Sequence, residues 1–181
     1  MDPVELSGGR LQLRLPREAD VDEITRACQD PELQRWIPVP VPYQREHAVQ
    51  WVGDTPGSWA ENRELRWTIL ERLADGSSSG PVGVVGLHAH DETMREIGFW
   101  AAPWARGRGV MTDAVRLVCQ WGFEELGLRR IEWWANVGND ASRRVAEKVG
   151  FTMEGTCRSR ILHRGERVDG WVAGLLPGDL T

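Results

Sequence analysis

Two glycines and two arginines stand together in the stretch Arg106-Gly107-Arg108-Gly109, between a strand-like segment that ends at Ala102 and a helix-like segment that begins near Val110. Glycine lets the main chain turn tightly and bring its N–H groups close to a ligand. The first turn of a helix adds unpaired N–H groups and the positive end of the helix dipole. Arginine donates charge-assisted hydrogen bonds to phosphate. The stretch therefore predicts a pyrophosphate site, and a glycine-rich turn with solvated arginines is the alternative.

We call residues 106–112 the cradle, and its sequence excludes two familiar phosphate-binding loops. A P-loop ends in Gly-Lys-Ser or Gly-Lys-Thr, and neither follows these glycines. A dinucleotide-binding fingerprint needs a third glycine where Thr112 stands. The cradle therefore predicts an anion site of another kind, to which Val110, Met111 and Thr112 contribute the first amides of a helix.

The strands that must position the cradle are visible as hydrophobic periodicity. Leu11, Leu13 and Leu15 alternate with polar residues, which is typical of a half-buried strand. By similar patterns we predict strands at residues 11–15, 65–70, 81–90, 95–102, 131–137, 151–161 and 167–176. The third and fourth of these are predicted to form a hairpin. Residues 74–80 are rich in glycine and serine and predict a mobile loop.

Other segments have helical periodicity. Asp20 is placed to cap a first helix, and Ala48, Val49, Trp51 and Val52 give the apolar face of a second. The third begins at Val110, and its inward face consists of Val110, Ala114, Leu117, Val118 and Trp121. The fourth is capped by Asn139 or Asp140, and Gly150 supplies the left-handed residue at its end. Strands followed by strand–helix alternation indicate an α/β layered domain with a mixed sheet.

Composition limits the class of protein. A chain of 181 residues with 41% hydrophobic and 27% charged residues is typical of a soluble globular domain, and we treat residues 1–181 as a single domain. A net charge of −5 argues against nucleic acid as the main partner. No apolar run reaches the roughly 18 residues of a membrane span, and no export leader begins the chain. Three widely spaced cysteines fit reduced thiols in the cytoplasm.

Two further features of the composition leave alternatives open. Ten tryptophans beside one tyrosine and three phenylalanines predict either an aromatic-lined surface or a core filled with large side chains. His88 and His90 are two residues apart on a predicted strand and share a face. A third ligand at matching spacing is missing, so we predict histidines that face solvent or a cleft and no metal site.

The cradle and three further stretches resemble the GNAT superfamily of N-acetyltransferases, and most closely its ribosomal-protein N-terminal (Rim-type) group. Residues 106–111 resemble the family motif Arg/Gln-x-x-Gly-x-Gly/Ala, with Met111 where glycine or alanine is usual. The other stretches are Glu96-Ile97-Gly98-Phe99-Trp100, Asn139-Asp140-Ala141-Ser142, and Glu147-Lys148-Val149-Gly150-Phe151 followed by Glu154-Gly155. Asp169 also fits. The resemblance spans nearly the whole chain and is strongest over residues 96–155.

The resemblance implies a GNAT-like α/β domain with one mixed, mostly antiparallel sheet of about seven strands, splayed at its centre and flanked by about four helices. It implies acetyl-CoA as the co-substrate, with the pantetheine arm in the splay. The residues implied to bind it are Trp100, Ala101, Ala102, Arg106, Gly107, Arg108, Gly109, Val110, Met111, Thr112, Asn139 and Ser142. A homodimer is a further expectation, by analogy with Rim-type relatives.

The resemblance also implies roles in catalysis. Glu96 matches the base of related histone-acetylating enzymes, and an ion pair with Arg95 or another cation is the alternative. Ser142 matches the Rim-type hydroxyl that donates to the leaving thiolate, and a capping role in the helix is the alternative. In many relatives a tyrosine at the position of Ala146 protonates the leaving thiolate. This chain has alanine there, so a tyrosine acid at that position is excluded. Some Rim-type enzymes have a glutamate where Ile161 stands, which leaves Glu96 or water as the base.

Trp36 and Tyr43 lie in a proline-broken stretch that shapes the acceptor pocket in this family, and packing in the core is the alternative. The predicted function is transfer of an acetyl group from acetyl-CoA to a primary amine, either a protein N-terminus or a small molecule, by direct attack in a ternary complex. A longer or succinyl acyl group stays open. A non-catalytic acyl-CoA-binding sensor or interaction module is the alternative function.

Overall fold

A computed structural model describes residues 1–181. The strands are β1 (Leu6–Gly8), β2 (Leu11–Arg14), β3 (Glu64–Glu71), β4 (Gly83–Ala89), β5 (Met94–Ala101), β6 (Arg130–Asn136), β7 (Thr152–His163) and β8 (Glu166–Leu175). The helices are α1 (Val21–Cys28), α2 (Pro31–Trp36), α3 (Arg45–Ala60), α4 (Val110–Glu124) and α5 (Asp140–Val149). Short 3-10 helices span Glu18–Asp20 and Pro103–Ala105. None of these helices is both long enough and apolar enough to span a bilayer.

The eight strands form one sheet in the order β1-β2-β3-β4-β5-β6-β8-β7. Every neighbouring pair is antiparallel except β5 and β6. That parallel pair is short, because its register runs only from Met94 opposite Arg130 to Ile97 opposite Trp133. Beyond Ile97 the two strands continue without pairing, so the centre of the sheet opens into a V-shaped gap.

The predicted fold class is confirmed, with two differences in number. The sheet has eight strands because the three-residue β1, too short to show alternation, pairs with β2. A fifth helix, α2, lies in the proline-broken stretch, where Pro31 occupies its first turn and Asp30 caps it by accepting the Leu33 amide at 2.8 Å. The N–H groups in the first turn of a helix have no intrahelical acceptor, so the missing N–H of proline costs no hydrogen bond there. Proline can therefore begin a helix as well as break one.

The main core lies between the sheet and the helices α4 and α5. Trp59, Trp67 and Trp121 pack against one another there, with edge-on contacts of 4.9 Å and 5.4 Å between the ring centroids of Trp67 and each of the other two. Each such pair contributes about 0.5–1.5 kcal/mol beyond the area that it buries. Part of the tryptophan excess is therefore core, and other tryptophans line the site described below.

The structure corrects two details of the predicted helices. Asp20 is the N-cap residue of α1, as predicted, but its carboxylate accepts no amide of that helix and instead binds the buried Arg14 guanidinium at 2.7 and 2.8 Å. Val49 is 45% exposed, so it does not belong to the buried face of α3. The α5 prediction holds at both ends, because Asn139 is the N-cap and Gly150 has φ of 112°.

Candidate active site

The cradle joins the end of β5 to the first turn of α4. The 3-10 helix Pro103–Ala105 carries the chain off the sheet, and Gly107 and Gly109 then adopt left-handed backbone angles, with φ of 75° and 78°. Gly109 is the N-cap of α4, so the first amides of the helix lack intrahelical acceptors. A β-carbon at Gly107 would meet no protein atom within 4 Å. The cradle therefore presents main-chain donors to open space, as an anion site requires.

Both cradle arginines have carboxylate partners. Arg106 forms an ion pair with Asp30, and Arg108 lies 2.7 Å from Glu71. Partial burial raises the pKa of Asp30, but hydrogen bonds from Arg106 and the Leu33 amide outweigh it and hold the pKa below its ordinary value. Each arginine is therefore partly neutralised before any anion arrives.

A cavity of about 520 Å³, the cradle cavity, opens over these residues. It contains ten of the twelve residues predicted to bind acetyl-CoA, namely Trp100, Ala101, Arg106, Gly107, Gly109, Val110, Met111, Thr112, Asn139 and Ser142. Arg144 and Lys148 on α5 also line it and were not predicted. The side chain of Met111 is buried and reaches Gly83, where an added β-carbon would lie 3.0 Å from its Cε. The unusual methionine therefore leaves the cradle unobstructed.

Ala102 and Arg108 are the two predicted ligands that do not line the cradle cavity. Ala102 is fully buried, its N–H donates to the Val82 carbonyl at 3.0 Å, and its carbonyl accepts from the Ala105 amide at 2.9 Å. Both of its main-chain groups are thus used within the protein, and the prediction for Ala102 is corrected accordingly. The Arg108 guanidinium is turned toward Glu71, away from the cavity.

A second cavity of about 550 Å³, the sheet cavity, lies over the opposite side of the splay. Its walls come from the segment after α2, from α3, from β6 and from the β7–β8 hairpin. They include Ile37, Pro38, Val39, Trp51, Trp134, Arg160, Ile161, Leu162 and His163. Six residues line both cavities: Trp36, Ile37, Phe99, Trp100, Asn139 and Ser142. The two cavities therefore meet at the splay, beside the first turn of α5.

A row of acidic and imidazole side chains crosses the floor of the sheet cavity. Glu64, His88 and Glu96 occupy paired positions on β3, β4 and β5, and Glu132 continues the row on β6. His88 Nε2 lies 3.7 Å from Glu64 Oε1. Gly98 leaves room for this imidazole, because an added β-carbon would lie 3.1 Å from His88 Nε2. The cleft-facing prediction for His88 thus matches its position.

Glu96 stands in the middle of this row. The cavity walls partly desolvate its carboxylate and raise its pKa above the ordinary value, and the charge of Glu132 adds to that rise while His88 and Arg160 oppose it. Arg95 is buried on the opposite face of β5, where it donates to Asn62 Oδ1 at 2.7 Å. An ion pair between Glu96 and Arg95 is therefore ruled out, and Glu96 faces the cavity where a proton acceptor would be useful.

Ser142 lies in the first turn of α5, where the two cavities meet. Its amide donates to Asn139 Oδ1 at 3.3 Å, so Asn139 is the capping side chain. The hydroxyl oxygen of Ser142 accepts a hydrogen bond from the indole N–H of Trp133 at 3.0 Å. The side chain of Ser142 therefore takes no part in capping.

Tyr43 requires a correction. It is 6% exposed and packs in a small separate core with Ile24, Cys28 and Leu33, outside the lining of either cavity. Burial and contact with the Cys28 thiol raise the pKa of its phenol. Tyr43 therefore does not line the predicted acceptor pocket, whereas Trp36 lines both cavities.

Arg164, which was not predicted, ties the β7–β8 hairpin to residues 34–39, and we call this contact the Arg164 clamp. Arg164 sits at the tip of the β7–β8 hairpin, and its guanidinium donates to the carbonyls of Gln34, Ile37 and Val39 at 2.6, 3.4 and 3.3 Å. The signal available in the sequence was Arg164-Gly165, a two-residue turn in which both residues have positive φ. The turn predicts the hairpin, but it does not predict that Arg164 binds carbonyls 125–130 residues earlier in the chain.

Known proteins share these features. The chain matches the acetyltransferase (GNAT) domain family over residues 10–152. It is 40% identical over 99 residues to YdaF of Bacillus subtilis, provisionally named a ribosomal N-acetyltransferase; this stretch covers 54% of the chain and 52% of YdaF, so the chain spans about half the length of that relative. It is 28% identical to the uncharacterised N-acetyltransferase YoaA of B. subtilis, over 91% of the chain and 92% of YoaA.

A solved structure is similar to this chain over nearly its full length. The protein from Vibrio cholerae, provisionally described as a ribosomal-protein-serine acetyltransferase, superposes with a TM-score of 0.84 at 25% identity, covering 96% of this chain and 98% of that one. The family match covers the cradle, the splay and α5 together. The chain therefore belongs to the GNAT family of acetyltransferases.

Proposed function

We propose that this protein transfers an acetyl group from acetyl-CoA to a primary amine by direct attack in a ternary complex. The observation that carries the proposal is the meeting of the two cavities at Ser142, with the cradle at the far end of one and Glu96 on the floor of the other. Such an arrangement lets a thioester and an amine approach one another from opposite sides of the sheet.

The cradle cavity suits the acyl donor. The amides that follow Gly109 and the guanidinium of Arg106 would hold the pyrophosphate, and the unpaired edges of β5 and β6 would bound the pantetheine arm. Arg144 and Lys148 add positive charge to the same cavity. Acetyl-CoA supplies the activated acyl carbon, as a thioester with a good leaving group.

The sheet cavity suits the amine. An acceptor enters as an ammonium and must lose a proton before its nitrogen can attack, and Glu96 is placed to accept that proton, directly or through water. A carboxylate with a raised pKa is a stronger base than an ordinary surface glutamate. Attack forms the C–N bond and breaks the C–S bond, and Ser142 donates its hydroxyl hydrogen bond to the thiolate that leaves.

Charge in the sheet cavity favours an acetyl over a succinyl group. The carboxylates of Glu64 and Glu96 face the space next to the splay, and they would repel a second carboxylate on the acyl chain. For the acceptor we propose the amino terminus of a peptide, because YdaF and the V. cholerae protein bear names of ribosomal-protein acetyltransferases. The Arg164 clamp joins two walls of the sheet cavity, the β7–β8 hairpin and the segment after α2, and so would help to hold the shape that receives a chain end.

Two measurements test the proposal. Calorimetric titration with acetyl-CoA, succinyl-CoA and desulfo-CoA should show saturable binding, with acetyl-CoA bound more tightly than succinyl-CoA. Thiol release should then depend on an added amine, either short peptides with free amino termini or small primary amines. Binding of acetyl-CoA without thiol release in the presence of any of these amines would identify an acyl-CoA-binding module instead. Absence of binding to all three compounds would refute the proposal.

A further inference from the structure

The hydroxyl of Ser142 is hydrogen-bonded to a buried tryptophan. Trp133 lies on β6, on the face that packs against the helices, and is 1% exposed. Its indole N–H donates to Ser142 Oγ at 3.0 Å. An indole can donate a hydrogen bond but cannot accept one, so the oxygen of Ser142 must be the acceptor in this contact.

The hydroxyl hydrogen of Ser142 is consequently directed elsewhere. Serine and threonine inside helices commonly donate back to the carbonyl four residues earlier. Thr25 and Thr55 do so here, at 2.7 Å to Val21 and 3.0 Å to Trp51. Ser142 lies in the first turn of α5, where the residue four positions earlier, Gly138, precedes the helix, and its hydroxyl donates no hydrogen bond within the protein.

We propose that Trp133 is a positioning residue, which fixes the Ser142 hydroxyl as a donor toward the sulfur of the acyl donor. The inference rests on the proposed function, in which Ser142 stabilises the leaving thiolate. Donation from the indole polarises the hydroxyl and strengthens the hydrogen bond that it gives. Because Trp133 is locked in the core, the direction of that bond is set before the acyl donor binds.

Steady-state kinetics of Trp133→Phe, Ser142→Ala and the double variant test this. Phenylalanine keeps an aromatic ring in the core and removes the N–H donor together with part of the indole volume, a loss that a control must reproduce. We expect Trp133→Phe to lower kcat by about tenfold with little change in KM for acetyl-CoA, as expected for an interaction that matters in the transition state. In the Ser142→Ala background the same substitution should cost nothing further, since the hydroxyl that it positions is gone.

The matched control is Trp67→Phe. Trp67 is equally buried, its indole donates to the Val4 carbonyl at 2.8 Å, and it lines neither cavity. The Trp67→Phe variant should unfold at a lower temperature, as Trp133→Phe does, but its kcat should stay unchanged. A similar fall in kcat in Trp67→Phe, or additive losses in the double variant, would overturn the inference.

The two proposals fail in different ways. If Ser142→Ala keeps full turnover, the thiolate-donor role is wrong and the role of Trp133 falls with it. If Ser142→Ala loses turnover and Trp133→Phe does not, only the positioning inference is wrong.

A spectroscopic measurement needs no change at Trp133. Ser142→Ala should identify the Trp133 indole N–H resonance among the ten tryptophan side chains of the nitrogen–proton spectrum. In the unaltered protein that resonance should shift more with CoA than with desulfo-CoA, because only CoA carries the sulfur. Equal shifts with both would contradict the proposed polarisation.

Discussion

Asp30→Asn is expected to tighten the binding of acetyl-CoA. The Asp30 carboxylate caps α2 and also pairs with Arg106, the cradle arginine that lines the cavity. Asparagine caps helices as well as aspartate does, so the substitution keeps the bond to the Leu33 amide and removes only the charge that competes for Arg106. The arginine is then free to bind pyrophosphate.

The size of the effect follows from the exposure of the pair. The side chain of Arg106 is 38% exposed and that of Asp30 is 19% exposed, so solvent screens the interaction considerably. An exposed ion pair contributes up to about 1 kcal/mol, and we take about 0.5–1 kcal/mol as the free energy returned to ligand binding. This corresponds to a roughly two- to fivefold lower Kd.

Isothermal titration of acetyl-CoA into Asp30→Asn and Asp22→Asn separates this effect from a general change in charge. Asp22 is 79% exposed and pairs with Arg45 at 2.8 Å, outside both cavities, so Asp22→Asn changes the net charge equally. The gain in affinity should appear only in Asp30→Asn and should shrink at high salt. Unchanged or weaker binding in Asp30→Asn, or an equal gain in Asp22→Asn, would refute the reasoning.

Three further predictions concern the base, the cradle and the clamp. Glu96→Gln should lower kcat by about 100-fold, the usual contribution of a general base. In the unaltered enzyme kcat/KM should rise with pH through the raised pKa of Glu96, because only the carboxylate accepts a proton. Gly109→Val should weaken acetyl-CoA binding by at least about tenfold, because its φ of 78° and its place in the cradle both exclude a branched side chain. Arg164→Ala should raise KM for a peptide acceptor by about threefold and leave donor affinity unchanged, because it frees the carbonyls of Ile37 and Val39 in the cavity wall.

Each of the three has a control in the same chain. Glu92→Gln removes an exposed carboxylate in the β4–β5 turn and should leave the pH profile intact. Gly76→Val imposes the same strain, with φ of 84°, in the loop at residues 74–80 and should leave affinity intact. Arg167→Ala removes a hairpin arginine that binds only Arg160 and should leave acceptor KM intact. An effect in a control as large as in its partner variant would contradict the corresponding role.

The parts of this fold that sequence could predict are those encoded locally. The β4–β5 hairpin, a helix cap at residue 139 or 140 and the left-handed Gly150 depend on residues close in the chain, and all three are found in the structure, with Asn139 as the cap. The splay between β5 and β6 was inferred through resemblance, since no local pattern shows where a parallel pair stops.

The parts that could not be predicted depend on contacts distant in sequence. Tyr43 is an aromatic residue in a proline-broken stretch, which suggested a pocket residue. Its burial follows from the arrangement of α1 and α3 around it, which the sequence does not show. The opposite faces taken by Arg95 and Glu96 follow from strand alternation, whereas the acidic row that joins Glu96 to Glu64 needs the register of three strands. The indole bond to Ser142 needs α5 to be set against β6.

The Arg164 clamp bears on how the protein matures during its synthesis. The cradle cavity needs residues of α5 as well as of α4, so all residues of the donor site exist only once the chain has passed residue 149. The contacts that tie the β7–β8 hairpin to residues 34–39 come later still, because they need Arg164. A nascent chain would therefore contain every residue of the donor site before it can join these two walls of the sheet cavity.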